Sequence, residues 1–130
     1  MFDKLELVEN RYEELTQMIS DPEVIANQSE WQKLMKEHAS IEEVVFKYRE
    51  YKKVKQNMEE AKEMMQDPEM KELAETEFYE AKEMIPKIEE ELKILQELED
   101  PNLPAEEVEK KVKRLREINV EVTGGNTWLT

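Results

Sequence analysis

The sequence predicts an all-α protein: a long antiparallel helical hairpin with an N-terminal helix packed against it and a short C-terminal helix. Glu, Lys, Met and Leu dominate the 130 residues, and all are good helix formers. Only two glycines occur, Gly124 and Gly125, both near the C-terminus, so the Gly-rich turns of an all-β or α/β fold are lacking. An Asp-Pro pair recurs at Asp21-Pro22, Asp67-Pro68 and Asp100-Pro101, each time between helix-forming stretches.

The first helix spans Phe2 to Ile19. Leu5, Val8, Tyr12, Leu15 and Ile19 recur at spacings of three and four and form a narrow stripe on one face. At "SDPE", Ser20 or Asp21 can accept hydrogen bonds from the free N–H groups of a new helix that has Pro22 at its first position. That restart is short, because Ser29 offers a second cap.

From Ser29 to Gln66 nothing breaks a helix. Trp31, Leu34, His38, Ile41, Val45 and Tyr48 form one stripe. Val54, Met58, Ala61 and Met65 continue it after a shift across "EYKKVK". Asp67-Pro68-Glu69 repeats the cap chemistry, and the short connection makes the flanking helices antiparallel neighbours. The third helix carries Met70, Leu73, Ala74, Phe78, Ala81, Ile85, Ile88, Leu92 and Leu95. Pro86 lies within it and predicts a kink near Lys82, because proline removes one backbone bond and crowds the preceding turn. Ile41, Val45, Phe78 and Ile85 are expected to be buried between the long helices, or between the hairpin and the first helix.

The tail reads differently. "DPNLPAEEVEKKVKRLREI" predicts a weaker amphipathic helix with Val108, Val112 and Leu115 on one side. The alternation in Asn119–Thr123, followed by Gly-Gly-Asn and Thr-Trp-Leu-Thr, predicts a β-hairpin or one strand of a sheet. The chain therefore divides into a helical domain, residues 1–98, and a helix-plus-strand tail, residues 99–130.

The net charge of −14 repels phosphate, so independent nucleic-acid binding is not expected. Cysteine is absent, which excludes disulfides and thiolate metal sites and suits the cytoplasm. No stretch approaches the roughly 20 apolar residues of a membrane span, so no membrane partner is expected.

His38, the only histidine, has Glu42 one turn later. Two such ligands can begin a metal site, but no second His or Cys completes it, and His38 reads as a seam residue. "KYREYKKVK" holds Lys47, Arg49, Lys52, Lys53 and Lys55 within nine residues. These five are the candidate partner-binding residues. They can contact RNA phosphates or an acidic partner, or they can form a solvated face paired with glutamates of the adjacent helix. The eight methionines lie mostly on the seam. No nucleophile with a base, phosphate loop or zinc spacing is present, so neither an enzyme nor a cofactor is predicted.

"RYEEL", "SDPEVI", "YREYKK", "EEAKEM", "DPEM" and "EELKIL" follow one another in this order. Through them, residues 1 to about 95 closely resemble the N-terminal helical domain of bacterial class I peptide chain release factors, of the release factor 1 type. The resemblance implies a role in translation termination, cytoplasmic localisation and no catalytic residue in this domain. It implies partners at the stalk base of the large ribosomal subunit and among translational GTPases, the class II release factor included. After "EELKIL" the sequence departs from the pattern: no Pro-x-Thr codon-reading tripeptide follows, and "TGGNTW" has Asn where the catalytic loop has Gln. A second reading takes the hairpin as a structural scaffold or fusion that carries an unrelated C-terminal segment.

Overall fold

A computed structural model describes residues 2–123. Its five helices are α1 (Asp3–Met18), α2 (Pro22–Ala26), α3 (Gln28–Met64), α4 (Lys71–Glu97) and α5 (Ala105–Thr123). No strand occurs among the described residues. The chain forms two compact units, one ending at Tyr48 and the other beginning at Arg49, so α3 contributes to both.

In the first unit α1 lies against the first part of α3. Leu5, Tyr12 and Leu15 of α1 are buried, as are Leu34, Val44, Val45 and Tyr48 of α3. The predicted stripe is thus the packed face, although Val8 and Ile19 are only half-buried. Trp31 closes the turn between them: its indole N–H donates to the carbonyl of Ile19 at 3.1 Å. The cap of α3 is Asn27 rather than Ser29. The Asn27 Oδ1 accepts the Glu30 N–H at 3.3 Å, two residues earlier than the predicted cap.

In the second unit α3 and α4 form the antiparallel hairpin. Tyr51, Val54 and Ala61 of α3 are buried. On α4 the residues Ala74, Ala81, Ile88 and Leu95 are buried at an interval of seven, with Leu92 beside them. A seven-residue track is what a seam needs to stay on one side of two under-wound helices. The predicted seam therefore needs correction: Val45 is buried, but Ile41, Phe78 and Ile85 are only half-buried. The α4 stripe is wider than a seam, and Phe78 and Ile85 occupy its flank. The shift predicted across "EYKKVK" coincides with the point where α3 passes from one unit to the other.

The three Asp-Pro turns share one hydrogen bond. The Oδ1 atoms of Asp21, Asp67 and Asp100 accept the backbone N–H of Glu23, Glu69 and Asn102, at 2.9, 3.0 and 2.9 Å. Proline has no N–H, so each aspartate reaches past it to the next donor. At Asp67 this bond closes a turn before the helix, and α4 begins only at Lys71. Helix α4 continues through Pro86, which is exposed.

Helix α5 packs on α4. Lys111 pairs with Glu97, and Arg114 pairs with Glu90, so the two helices run antiparallel. The expected strand at Asn119–Thr123 is instead the last turn of α5. Ile118 and Val122, four residues apart, are both buried, and that helical spacing prevails over the short alternation. The Gly-Gly-Asn and Thr-Trp-Leu-Thr segments lie outside the described residues.

Candidate partner-binding surface

The five basic residues of "KYREYKKVK" all stand on α3, but they do not form one patch. At 100° per residue, Arg49, Lys52 and Lys53 fall within about a third of the helix circumference. Lys47 belongs to the first unit, and Lys55 turns toward Tyr51, with its ammonium 5.2 Å from the ring centroid. Lys47, Arg49 and Lys52 are half-buried and none of them lacks a partner, while Lys53 and Lys55 are exposed. Three of the five thus have partners within the chain. Lys53 is exposed, and Lys55, also exposed, holds its ammonium over the Tyr51 ring.

Tyr51 connects this segment to the hairpin. Its hydroxyl donates to Glu89 Oε2 at 3.0 Å. Burial of the phenol, and then the neighbouring Glu89 carboxylate, push the Tyr51 pKa up from its ordinary value.

A second cluster lies in the first unit and was only half visible in the sequence. The His38 ring stacks on Tyr12 with centroids 4.3 Å apart. His38 Nε2 is 3.0 Å from Thr16 Oγ1, and His38 Nδ1 is 4.0 Å from Glu42 Oε2. Hydroxyl, imidazole and carboxylate in this order look like a nucleophilic triad. The hydrogen bonds argue otherwise. The Thr16 hydroxyl donates its single proton to the Tyr12 carbonyl at 2.8 Å. His38 Nε2 must then donate to Thr16 Oγ1, so the imidazole carries its proton on the nitrogen that a base would need free. Glu42 accepts from the Tyr12 hydroxyl at 3.1 Å. The cluster clasps α1 to α3. Among the described residues no group of three or more His, Asp and Glu is placed to hold a metal ion.

Arg11 extends this clasp. Its Nε and Nη2 donate to Glu37 Oε2 and Oε1 at 2.7 and 2.8 Å, a two-pronged contact. The guanidinium holds the Glu37 carboxyl below the usual carboxylate range. Arg114 and Glu90 repeat the geometry between α5 and α4, at 2.9 and 3.0 Å, and Glu90 is likewise held down. Arg11 and Glu37 lie 26 residues apart, and Glu90 and Arg114 lie 24 apart, so no local spacing announces them.

Apolar side chains are also exposed. Leu7 and Phe46 stand out in the first unit, and Leu73 and Tyr79 on α4 in the second. No helix among the described residues is long and apolar enough to cross a membrane.

The PCRF domain matches residues 8–106, from the first turns of α1 to the first residues of α5. Three curated relatives carry the name peptide chain release factor 1. The protein of Clostridium acetobutylicum is 50% identical over 105 residues, and that of Clostridium novyi 54% over 105. The protein of Alkaliphilus oremlandii is 48% identical over 106. Each alignment takes in 78% of this chain. It spans 29% of the first two relatives and 30% of the third, less than a third of each protein's length. No solved structure matches the chain. The match runs past Leu95, the expected end of the resemblance, and takes in the Asp100-Pro101 turn.

Proposed function

Since the chain belongs to the PCRF domain family, as the N-terminal helical domain of a peptide chain release factor of the release factor 1 type, we propose that it serves translation termination as a non-catalytic docking module. The observation that carries this reading is the family match across all of α2, α3 and α4 and most of α1, at about half identity to the named relatives. The module docks on the ribosome in the cytoplasm, toward the stalk base of the large subunit, within reach of the class II release factor. Codon reading and peptidyl-tRNA hydrolysis belong to the remaining two-thirds of such a factor. Within the surface described above, Lys53 is the cation best placed to meet ribosomal phosphate, being exposed on an otherwise acidic chain, and Lys55 can join it by leaving the Tyr51 ring.

The test has two arms. Alone, the chain is expected to release no peptide from ribosomes with a stop codon in the decoding site. Stop-dependent hydrolysis above background would overturn the non-catalytic role. Grafted in place of the corresponding region of a full-length release factor 1, residues 1–106 are expected to preserve ribosome binding and stop-dependent release. A graft that folds and reads stop codons as well with an unrelated helical hairpin in this position would remove the docking role.

A further inference from the structure

Two troughs run along α4, and their charges differ. The one shared with α5 is lined by both signs, and Arg114–Glu90 and Lys111–Glu97 neutralise one another within it. The other, between α3 and α4, holds about 410 Å³ and is lined by no lysine or arginine. Its floor is Ala61 and Ala81, buried residues too small to fill the space above them. Met64 and Met84 form its walls. Its rim carries Glu60, Glu77 and Glu80, and no ion pair ties these three carboxylates among the described residues.

We propose that this α3–α4 groove is a docking site for a basic amphipathic helix of another protein. An apolar floor between two helices accepts the apolar stripe of a third, read as anchors at i, i+3, i+4 and i+7. The residues on the α3 side run from Val54 to Met64, and ten residues at 1.5 Å each give a groove of about 15 Å. That length matches about three turns of a partner helix. Methionine walls adapt to the shape of the inserted side chains.

Charge selects among occupants. A partner helix whose stripe is flanked by Lys or Arg meets Glu60, Glu77 and Glu80, which have no other cation. Nucleic acid meets three carboxylates and is repelled. A second copy of this chain would bring another acidic surface against the same rim, and like charges opposed across an interface disfavour the pairing. This inference rests on the groove and its charge and does not depend on the role in termination.

The test uses the full chain with ¹³C-methyl-labelled methionine. The probe is a synthetic helical peptide of about three turns, with Leu along one stripe and Lys on both flanks. The Met64 and Met84 methyl resonances are expected to shift and saturate, while those of Met18 and Met35 in the first unit hold still. Glu77→Gln/Glu80→Gln, at exposed positions, is expected to weaken binding several-fold and flatten its salt dependence. A scrambled peptide of the same composition is expected to bind far more weakly. Equal binding of the scrambled peptide would overturn the proposal, as would equal shifts at Met18 and Met35. So would an undiminished affinity of the double variant, or the same Met64 and Met84 shifts produced by an oligonucleotide or by raising the chain concentration without peptide.

Discussion

Truncating Ile88 to alanine tests the register of the α3–α4 seam. Ile88 is fully buried on the seven-residue track of α4, whereas Ile85, three residues earlier, is half-buried on its flank. Ile88→Ala removes three methyl or methylene groups, at about 0.8 kcal/mol each, or about 2.4 kcal/mol of transfer energy. A residual cavity of about 50 Å³ adds about 1.2 kcal/mol at 24 cal/mol per Å³. The sum of about 3.6 kcal/mol lies within the range measured for such truncations. Ile85→Ala loses less contact, and solvent can fill the space it vacates, so about 1–2 kcal/mol is expected. The assay is urea unfolding followed by helical circular dichroism. With a slope of about 2 kcal/mol per molar urea, Ile88→Ala lowers the midpoint by about 1.8 M and Ile85→Ala by about 0.5–1 M. An Ile85→Ala midpoint as low as that of Ile88→Ala, at equal slope, would refute the register.

Glu37 and Glu90 are both held below the ordinary carboxylate pKa by an arginine. Their stabilising contribution is therefore complete above about pH 4.5, the unfolded value, and is lost as pH falls through the lower folded value. Thermal unfolding between neutral and strongly acid pH should show a steeper acid limb in the parent than in Glu37→Gln/Glu90→Gln. Tyr51 has the opposite sign. Its raised pKa gives a contribution that is complete below about pH 10 and is lost as pH rises through the folded value, so Tyr51→Phe should flatten the alkaline limb of the same experiment. Lys53→Glu/Lys55→Glu in the grafted release factor is expected to weaken ribosome binding and to lower its salt slope by about one per lost contact. Unchanged binding at low salt would move the docking surface to the hairpin tip around Met64–Met70.

Much of this fold is legible in the sequence. The Asp-Pro pairs marked the breaks, because the proline that cannot continue a helix and the aspartate that caps the next turn are adjacent in the chain. The shift in the stripe of α3 was visible as lysines interrupting apolar spacing, and it marks where one unit gives way to the next. What periodicity could not resolve was which edge of a broad stripe is innermost. Phe78 and Ile85 are larger than Ala74 and Ala81, yet the small residues take the centre, because close helix approach selects for size rather than hydrophobicity. At the C-terminus, five alternating residues suited a strand as well as the last turn of a helix, and burial of Ile118 and Val122 on α4 decided it. The candidate surface was less legible. The basic stretch is plain in the sequence, but which of its charges face outward depends on side chains elsewhere in the chain. Similarly, the long-range pairs of Arg11 and Arg114 have no local signature. Glu60, Glu77 and Glu80 share a groove only because α4 folds back along α3.

The three Asp-Pro turns also bear on how the chain can be taken apart. The proline nitrogen is a tertiary amide and takes up a proton more readily than an ordinary peptide nitrogen. The aspartate carboxyl beside it can attack its own backbone carbonyl and expel that nitrogen as a leaving group. Mild acid therefore hydrolyses these bonds in preference to others, and all three are exposed between helices. In the closed turn each carboxylate is held on the N–H two residues ahead, turned to a different task. Scission requires that hold to be released. The relative rates of cutting after Asp21, Asp67 and Asp100 would thus report how often each turn opens, and the fragments would come away as separate helical segments.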